Sequence, residues 1–336
     1  MASEQGSLLG QVVGGQYKVR RLIGSGGMGD VYEAESKAGE KVALKVLHER
    51  AAQDPDLVAR FQREATIASQ VKSPYVARIL GAGKDRNGRL WIAFERLTGE
   101  PLDERLRREH YLGFDEVGPI IDDSLQGLEA AHKAGVIHRD IKPANLYIEK
   151  RKLSPREIQA GESDERTRIL DFGVSKIRSR GNKAKTEPSL TAFDATLGSF
   201  AYMAPEQVRG SARVDERADL YALGAVAFRA LTGRLPFEGA NALTLIALKL
   251  DREPPSLASA TGDEWPVVIE RFLERMMARE RDRRFASATE ALEAWRGVRN
   301  TMPGTPRVTP KSRPPEDGPA DDMTAVTFAD TMSSRK

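Results

Sequence analysis

His138-Arg139-Asp140-Ile141-Lys142-Pro143-Ala144-Asn145, followed further on by Asp171-Phe172-Gly173, is the stretch on which the reading of this chain turns. Asp140 and Asn145 share one loop, and Asp171 comes just after a short strand pattern. That set suits movement of a phosphoryl group from a metal-bound nucleotide. One carboxylate takes the proton of an incoming hydroxyl, and two oxygen-bearing side chains hold a divalent cation against the phosphates. Lys142, just beyond Asp140, adds a cation for the moving γ-phosphoryl. Either triplet alone carries little weight, and a polar surface loop followed by a turn is the plain alternative. Both motifs in this order weigh against it.

Nearer the N-terminus, Gly24-Ser25-Gly26-Gly27-Met28-Gly29 spaces its glycines as G-x-G-x-x-G. Dinucleotide-binding folds use the same spacing, but there the glycines follow a strand and open a helix. Here Asp30 to Ala34 and Lys41 to Leu47 read as strands around a turn at Lys37 to Glu40. The glycines are therefore predicted to form the tip of an antiparallel pair, where backbone N–H groups approach phosphates with no Cβ in the way. Val42-Ala43-Leu44-Lys45 then sets a lysine on the second strand. A lone strand lysine is more often a solvated edge charge. The next segment argues otherwise, because Leu57, Phe61, Ala65, Ala68 and Val71 keep helical spacing and Glu64 lies on the same stripe. A carboxylate facing a core needs a partner, and Lys45 is the one expected.

Ser73-Pro74 ends that helix, Tyr75 to Gly81 and Leu90 to Phe94 read as further strands, and Glu95 to Gly99 reads as a hinge. Beyond it, Asp115 to His132 is amphipathic through Val117, Ile121, Leu125 and Leu128, and Ala218 to Leu231 is apolar almost all round, as a buried central helix is. Leu243 to Leu250, Pro266 to Met277 and Ala286 to Val298 supply more helix. The predicted fold class is α+β and bilobal: a small β-rich N-lobe with one key helix, a larger α-helical C-lobe, and the chemistry between them. The expected boundaries are a lead at 1–14, a catalytic unit at 15–298 and a tail at 299–336. Within the unit, the N-lobe takes 15–95, the hinge 96–100 and the C-lobe 101–298, with a charged insert at about 150–166. The Pro- and Thr-rich tail has too little apolar surface to offset chain entropy and is expected to be disordered.

Composition sets modest bounds. A length of 336 residues suits two domain-sized units, and 40% hydrophobic residues supply a core. The absence of cysteine excludes a disulfide scaffold, Cys-ligated zinc and a thiol nucleophile, and suits a reducing cytosol. His48, His110, His132 and His138 show no paired metal spacing. With no run of about 18 apolar residues and no signal-peptide pattern from Met1 to Gln16, a soluble cytoplasmic chain is expected. Net charge is +3, and the clusters at Arg178 to Arg180 and Lys183 to Lys185 read as a solvated loop, so no nucleic-acid partner is expected.

These motifs, with Ala204-Pro205-Glu206, Asp219 at the head of the apolar helix and Arg284 in Arg283-Arg284-Phe285, resemble the eukaryotic-like Ser/Thr protein kinases. The glycine loop, Met203 to Gln207 and Leu231 to Phe237 are most similar to the bacterial branch, and the resemblance covers about residues 15–298. It implies an ATP-dependent protein Ser/Thr phosphotransferase using Mg²⁺, with Mn²⁺ as an alternative, and protein substrates as partners. Asp140 would be the base, Lys142 would steady the γ-phosphoryl, and Asn145 and Asp171 would hold metal. Lys45, anchored by Glu64, would contact phosphates. Ile23, Gly24, Ser25, Gly26, Gly27, Met28, Gly29 and Val31 would cover the nucleotide. Ala43 would roof the adenine, Glu95 and Leu97 would meet it at the hinge, and Tyr147 would floor it. Glu206 paired with Arg284, and Asp219 beneath the catalytic loop, would be scaffold. Lys142 within Asp-x-Lys-Pro-x-x-Asn, together with Ser199, favours Ser/Thr over Tyr acceptors.

The chain departs from the family pattern in places. The span from Asn145 to Asp171 is unusually long, and its charged insert reads as a solvated flap before a docking surface. Ser199 and Phe200 stand where the family usually has Thr and Pro, Tyr147 replaces a smaller aliphatic residue, and Ala68 is small for the internal apolar column. Arg139 beside Asp140 implies a phosphate switch, with autophosphorylation in trans, through a homodimer, at Thr191 or Thr196 and then Ser189. Two rival readings stand beside the kinase. A pseudokinase-like scaffold is disfavoured by the intact metal and base residues. A metabolite kinase is disfavoured by Ala204-Pro205-Glu206 and the activation segment.

Overall fold

The computed structural model describes residues 8–26, 29–48, 58, 61, 65–66, 68–171, 197–210 and 214–302. Its first layer is a six-stranded antiparallel sheet. The strands are Val12–Val13 (β1), Tyr17–Gly26 (β2), Gly29–Glu35 (β3), Lys41–Leu47 (β4), Ile79–Lys84 (β5) and Leu90–Glu95 (β6), in the order β1-β2-β3-β4-β6-β5. Strand alternation sends Val42, Leu44 and Val46 of β4 to one side, packed with Tyr17 and Trp91. Ala43 and Leu47 go to the other side, packed with Phe61 and Ala65. Lys45 shares the face of Ala43 and Leu47, which aims its side chain toward the second lobe. Phe61, Ala65 and Ala68 lie on helical turns and are buried, in keeping with the predicted stripe; Glu64 lies outside the described residues.

A three-stranded antiparallel sheet, Gly99–Pro101 (β7), Leu146–Lys150 (β8) and Glu165–Ile169 (β9), joins the lobes. The helices are Leu102–Glu109 (α1), Phe114–Lys133 (α2), Pro155–Gln159 (α3), Leu197–Tyr202 (α4), Pro205–Val208 (α5), Arg217–Thr232 (α6), Ala242–Asp251 (α7), Leu257–Thr261 (α8), Val267–Met276 (α9) and Ala288–Thr301 (α10). Nearly every residue of α6 is buried, and Gly233, at φ 73°, ends it in the left-handed conformation that glycine adopts freely. Helix α10 closes the lobe on α2. Trp295 is fully buried against Phe114 and Phe272, with ring centroids at 5.5 and 4.8 Å, and its Nε1–H donates to the Gly118 carbonyl at 3.0 Å.

Two boundaries differ from the sequence reading. The strand expected from Tyr75 begins only at Ile79, because the preceding residues bond to β9 of the other sheet: Ala77 N–H to the Ile169 carbonyl at 2.9 Å, and Ile169 N–H to the Tyr75 carbonyl at 2.8 Å. Helix α10 runs past 298 to Thr301, kept amphipathic by Val298. The insert is an extension of the β8–β9 hairpin with one short helix, α3, capped by Ser154 and Glu157, and most of it is exposed. The expected disordered tail falls almost wholly outside the described residues.

Candidate active site

The loop before β8 is held from below by one carboxylate. Asp219, in the first turn of α6 and 0% exposed, accepts the backbone N–H groups of His138 at 2.8 Å and Arg139 at 2.7 Å, and faces His132 Nε2 at 2.9 Å. Burial alone would raise its pKa, but the hydrogen bond from His132 and the neighbouring histidine and backbone groups reverse that and lower it. The His138 ring bridges the two arms of the site. Asp140 N–H donates to its Nδ1 at 3.1 Å, so Nε2 carries the proton and donates to the Leu170 carbonyl at 2.7 Å. Arg139 (φ 64°) and Asp171 (φ 59°) both take left-handed backbone conformations, which cost non-glycine residues on the order of 1 to 3 kcal/mol each.

Asn145, 1% exposed, donates from Nδ2 to the Asp140 carbonyl at 2.7 Å and to Asp140 Oδ2 at 3.3 Å, and Lys142 Nζ lies 3.5 Å from the same Oδ2. Leu170 N–H donates to the Asn145 carbonyl at 2.9 Å, which brings Asp171 beside the loop. Lys45 Nζ crosses from the first lobe to Asp171 Oδ2 at 2.5 Å. Two acceptors are then left over. Asn145 Oδ1 and Asp171 Oδ1 are buried without a hydrogen-bond partner among the described residues. Buried oxygens in that condition are rare in folded proteins, and hard divalent cations take oxygen ligands. The donor set therefore fits a cation of the Mg²⁺ type, which is held by one or two protein oxygens and completed by phosphates and water.

Above this cluster, β2 and β3 meet with Gly26 opposite Gly29, so the glycine loop is a hairpin tip and not the strand-to-helix turn of a dinucleotide site. Gly29 is fixed by packing as well: a Cβ there would lie 2.3 Å from the Val46 carbonyl oxygen. Gly27 and Met28 lie outside the described residues, while Ser25 Oγ donates to Asp30 Oδ1 at 2.5 Å. Val31, Ala43, Leu97, Tyr147 and, at its edge, Ile23 belong to one apolar cluster that spans both lobes. Tyr147 is 0% exposed, and burial raises its hydroxyl pKa. At the hinge, Glu95 accepts the Arg78 N–H at 2.6 Å and pairs with Arg168, which also reaches Glu149 at 2.9 Å and the Val76 carbonyl at 2.9 Å.

On the opposite side of Asp140, Gln207 Nε2 donates to the Arg139 carbonyl at 3.0 Å. Glu206 and Arg284 form a double hydrogen bond at 2.7 and 2.9 Å. Ser189, Thr191 and Thr196 lie outside the described residues, and Ser199 lies on α4. Sequence reading missed three contributors: His132, Arg168 and the Asp171 end of the Lys45 pair. For His132 and Arg168 the signal was present, a histidine just ahead of the catalytic loop and a basic residue just ahead of Asp171.

Comparison with known proteins agrees with this geometry. The protein kinase domain family matches residues 17–295. The Ser/Thr-protein kinase pkn3 of Myxococcus xanthus is 37% identical over 304 residues, covering 89% of this chain and 53% of that protein. PknE of Mycobacterium tuberculosis is 31% identical over 325 residues, covering 91% of this chain and 53% of its own length. The chain thus spans about half the length of these curated relatives. Among solved structures, the PknI kinase domain of Mycobacterium tuberculosis superposes with a TM-score of 0.65 at 26% identity, covering 87% of this chain and 99% of that one. The bilobal frame, the loop that Asp219 holds and the family match lead to one conclusion: the chain belongs to the protein kinase family, among the bacterial eukaryotic-like Ser/Thr kinases.

Proposed function

We propose that this chain transfers the γ-phosphoryl group of ATP to Ser and Thr hydroxyls of proteins, with Mg²⁺ as the working ion. The observation that carries the reading is the pair of buried, unpartnered oxygens, Asn145 Oδ1 and Asp171 Oδ1, beside Asp140. When bound, the ion neutralises phosphate charge. The protein's own residues do the rest. Asp140 accepts the proton of the acceptor hydroxyl, its carboxylate oriented by Asn145 Nδ2. Lys142 sits 3.5 Å from that carboxylate, placed to meet negative charge building on the transferred group. Lys45 holds Asp171 in place and offers its ammonium to the phosphates. The relatives' names support Ser/Thr as the acceptor class. Labelled ATP with a basic protein acceptor, followed by identification of the labelled amino acid, tests this; label on phosphotyrosine alone, or none at all, would contradict it.

We further propose that the chain autophosphorylates in trans at Thr191 or Thr196, then Ser189. The support is Arg139, a cation next to the base, whose neutralisation by a phosphate would order the segment between Asp171 and Glu206. Tandem mass spectrometry should find these sites in wild-type protein and not in Asp140→Asn. Full activity in a Ser189/Thr191/Thr196 triple-alanine variant would remove the switch from the account.

A further inference from the structure

Lys249 is a lysine inside the protein, 1% exposed, on the face of α7 that also buries Ala242 and Leu245. Its Nζ donates to the Ala201 carbonyl at 2.7 Å and the Met203 carbonyl at 3.0 Å, and lies 5.2 Å from the Tyr221 ring and 5.8 Å from that of Phe237. No carboxylate is within ion-pair reach of it among the described residues. The nearby charges are Arg284, 4.8 Å from the Tyr221 ring and bound to Glu206 at 2.7 Å, and Glu206 itself on α5. A lysine enclosed without a counter-ion is costly, and a leucine or methionine would fill the same space without that cost.

What the lysine supplies is donors. Ala201 and Met203 lie at the C-terminal end of α4, where the last carbonyls of a helix have no partner of their own. The chain that follows reaches Pro205, which has no N–H to give. The carbonyls that Lys249 takes therefore belong to the stretch joining α4 to α5. That stretch continues to Gln207, whose side chain accepts the Ala204 N–H at 3.1 Å and donates to the Arg139 carbonyl at 3.0 Å, next to Asp140. The route from Lys249 to the base runs through hydrogen bonds and one short length of backbone.

We propose that Lys249 is a positioning residue for the protein acceptor, fixing the Ala201–Met203 carbonyls and, through Gln207, the surface on which the acceptor hydroxyl meets Asp140. The inference rests on the phosphotransferase reading above. It assigns Lys249 no contact with ATP, so its loss should separate the two substrates. Burial, and then the like charge of Arg284, bring the lysine down to about 7. Its charge, and with it the stronger form of both hydrogen bonds, is therefore lost as pH rises through neutrality.

The test is steady-state kinetics of the whole chain with a Ser/Thr acceptor peptide free of histidine and cysteine, at fixed saturating Mg·ATP. Lys249→Met should raise the peptide KM about tenfold, the equivalent of one charge-assisted hydrogen bond. The KM for ATP and the slow hydrolysis of ATP to water should stay unchanged. In wild type the peptide KM should climb several-fold from about pH 6 to about pH 8.5, across the lysine's titration, while the ATP KM stays level. That profile decides the matter should Lys249→Met not fold. A wild-type peptide KM in Lys249→Met, or a level wild-type profile, overturns the role of Lys249 and leaves the kinase reading standing. No transfer from wild type to any peptide defeats the kinase reading, and this inference with it.

Discussion

Asp219 shows how one buried carboxylate fixes the backbone of the loop that carries Asp140. It is sealed from solvent and takes two backbone N–H groups of the catalytic loop plus one histidine nitrogen, which leaves its carboxylate satisfied and the loop without freedom to relax. Arg139 sits directly above it in a left-handed conformation that a free chain would leave. Replacing Asp219 by Asn turns one acceptor oxygen into an N–H₂ group facing donors. We expect Asp219→Asn to lose about 3 kcal/mol of stability in urea unfolding, as broken buried charged pairs do, and to lower kcat more than the ATP KM. The sign of its pH dependence follows from its lowered pKa: the stability it gives is present above the usual carboxylate range and lost as pH falls through the native value. A variant as stable and as fast as wild type would remove Asp219 from the scaffold.

Among the elements, β9 carries the most consequences, because it joins the insert to Asp171. Its Thr167 N–H donates to Asp123 Oδ2 of α2 at 2.8 Å. Burial, opposed by that hydrogen bond and reinforced by Asp122, pushes Asp123 up to about 6. Native protein thus holds a proton there in a pH range where the unfolded chain, at about 3.9, does not. Stability from this group is present below that range and lost as pH rises from about 4 to about 6. Asp123→Asn keeps an acceptor for Thr167 and should flatten that part of the stability curve; a curve parallel to wild type would show that Asp123 does not titrate this way. Elements of this kind were largely legible in advance. The stripe of α2 and the all-round apolar run of α6 were readable because periodicity and hydrophobicity are local properties of the chain. The start of β5 was not, since Tyr75 to Ala77 are bonded by β9, an element far away in sequence.

At the scale of the whole molecule, the two lobes meet, among the described residues, at the ion pairs Lys45–Asp171 and Glu95–Arg168 and at an apolar cluster. Lys45 reaches Asp171 from β4, and Tyr147 and Leu170 of the second lobe pack with Ala43, Ile92 and Phe94 of the first. The motif residues were legible because their chemistry demands particular side chains at short spacing: Asp140, Asn145, the glycine loop, Glu206 and Asp219. What could not be read was which of them would touch. Sequence placed Glu64 opposite Lys45; the contact the structure adds is Asp171, a pairing only the folded lobes create. Lys249 escaped for the same reason, its partners being carbonyls of a distant segment. The central claim is that this assembly transfers phosphate through Asp140 and does not merely bind nucleotide. The direct measurement compares wild type with Asp140→Asn for label transfer from Mg·ATP to a Ser/Thr acceptor, with thermal shift on Mg·ATP measured in parallel. The account predicts that both proteins are stabilised by Mg·ATP while transfer falls about 10²- to 10⁴-fold in Asp140→Asn, the usual worth of a positioned general base. Equal transfer rates in the two proteins would contradict it.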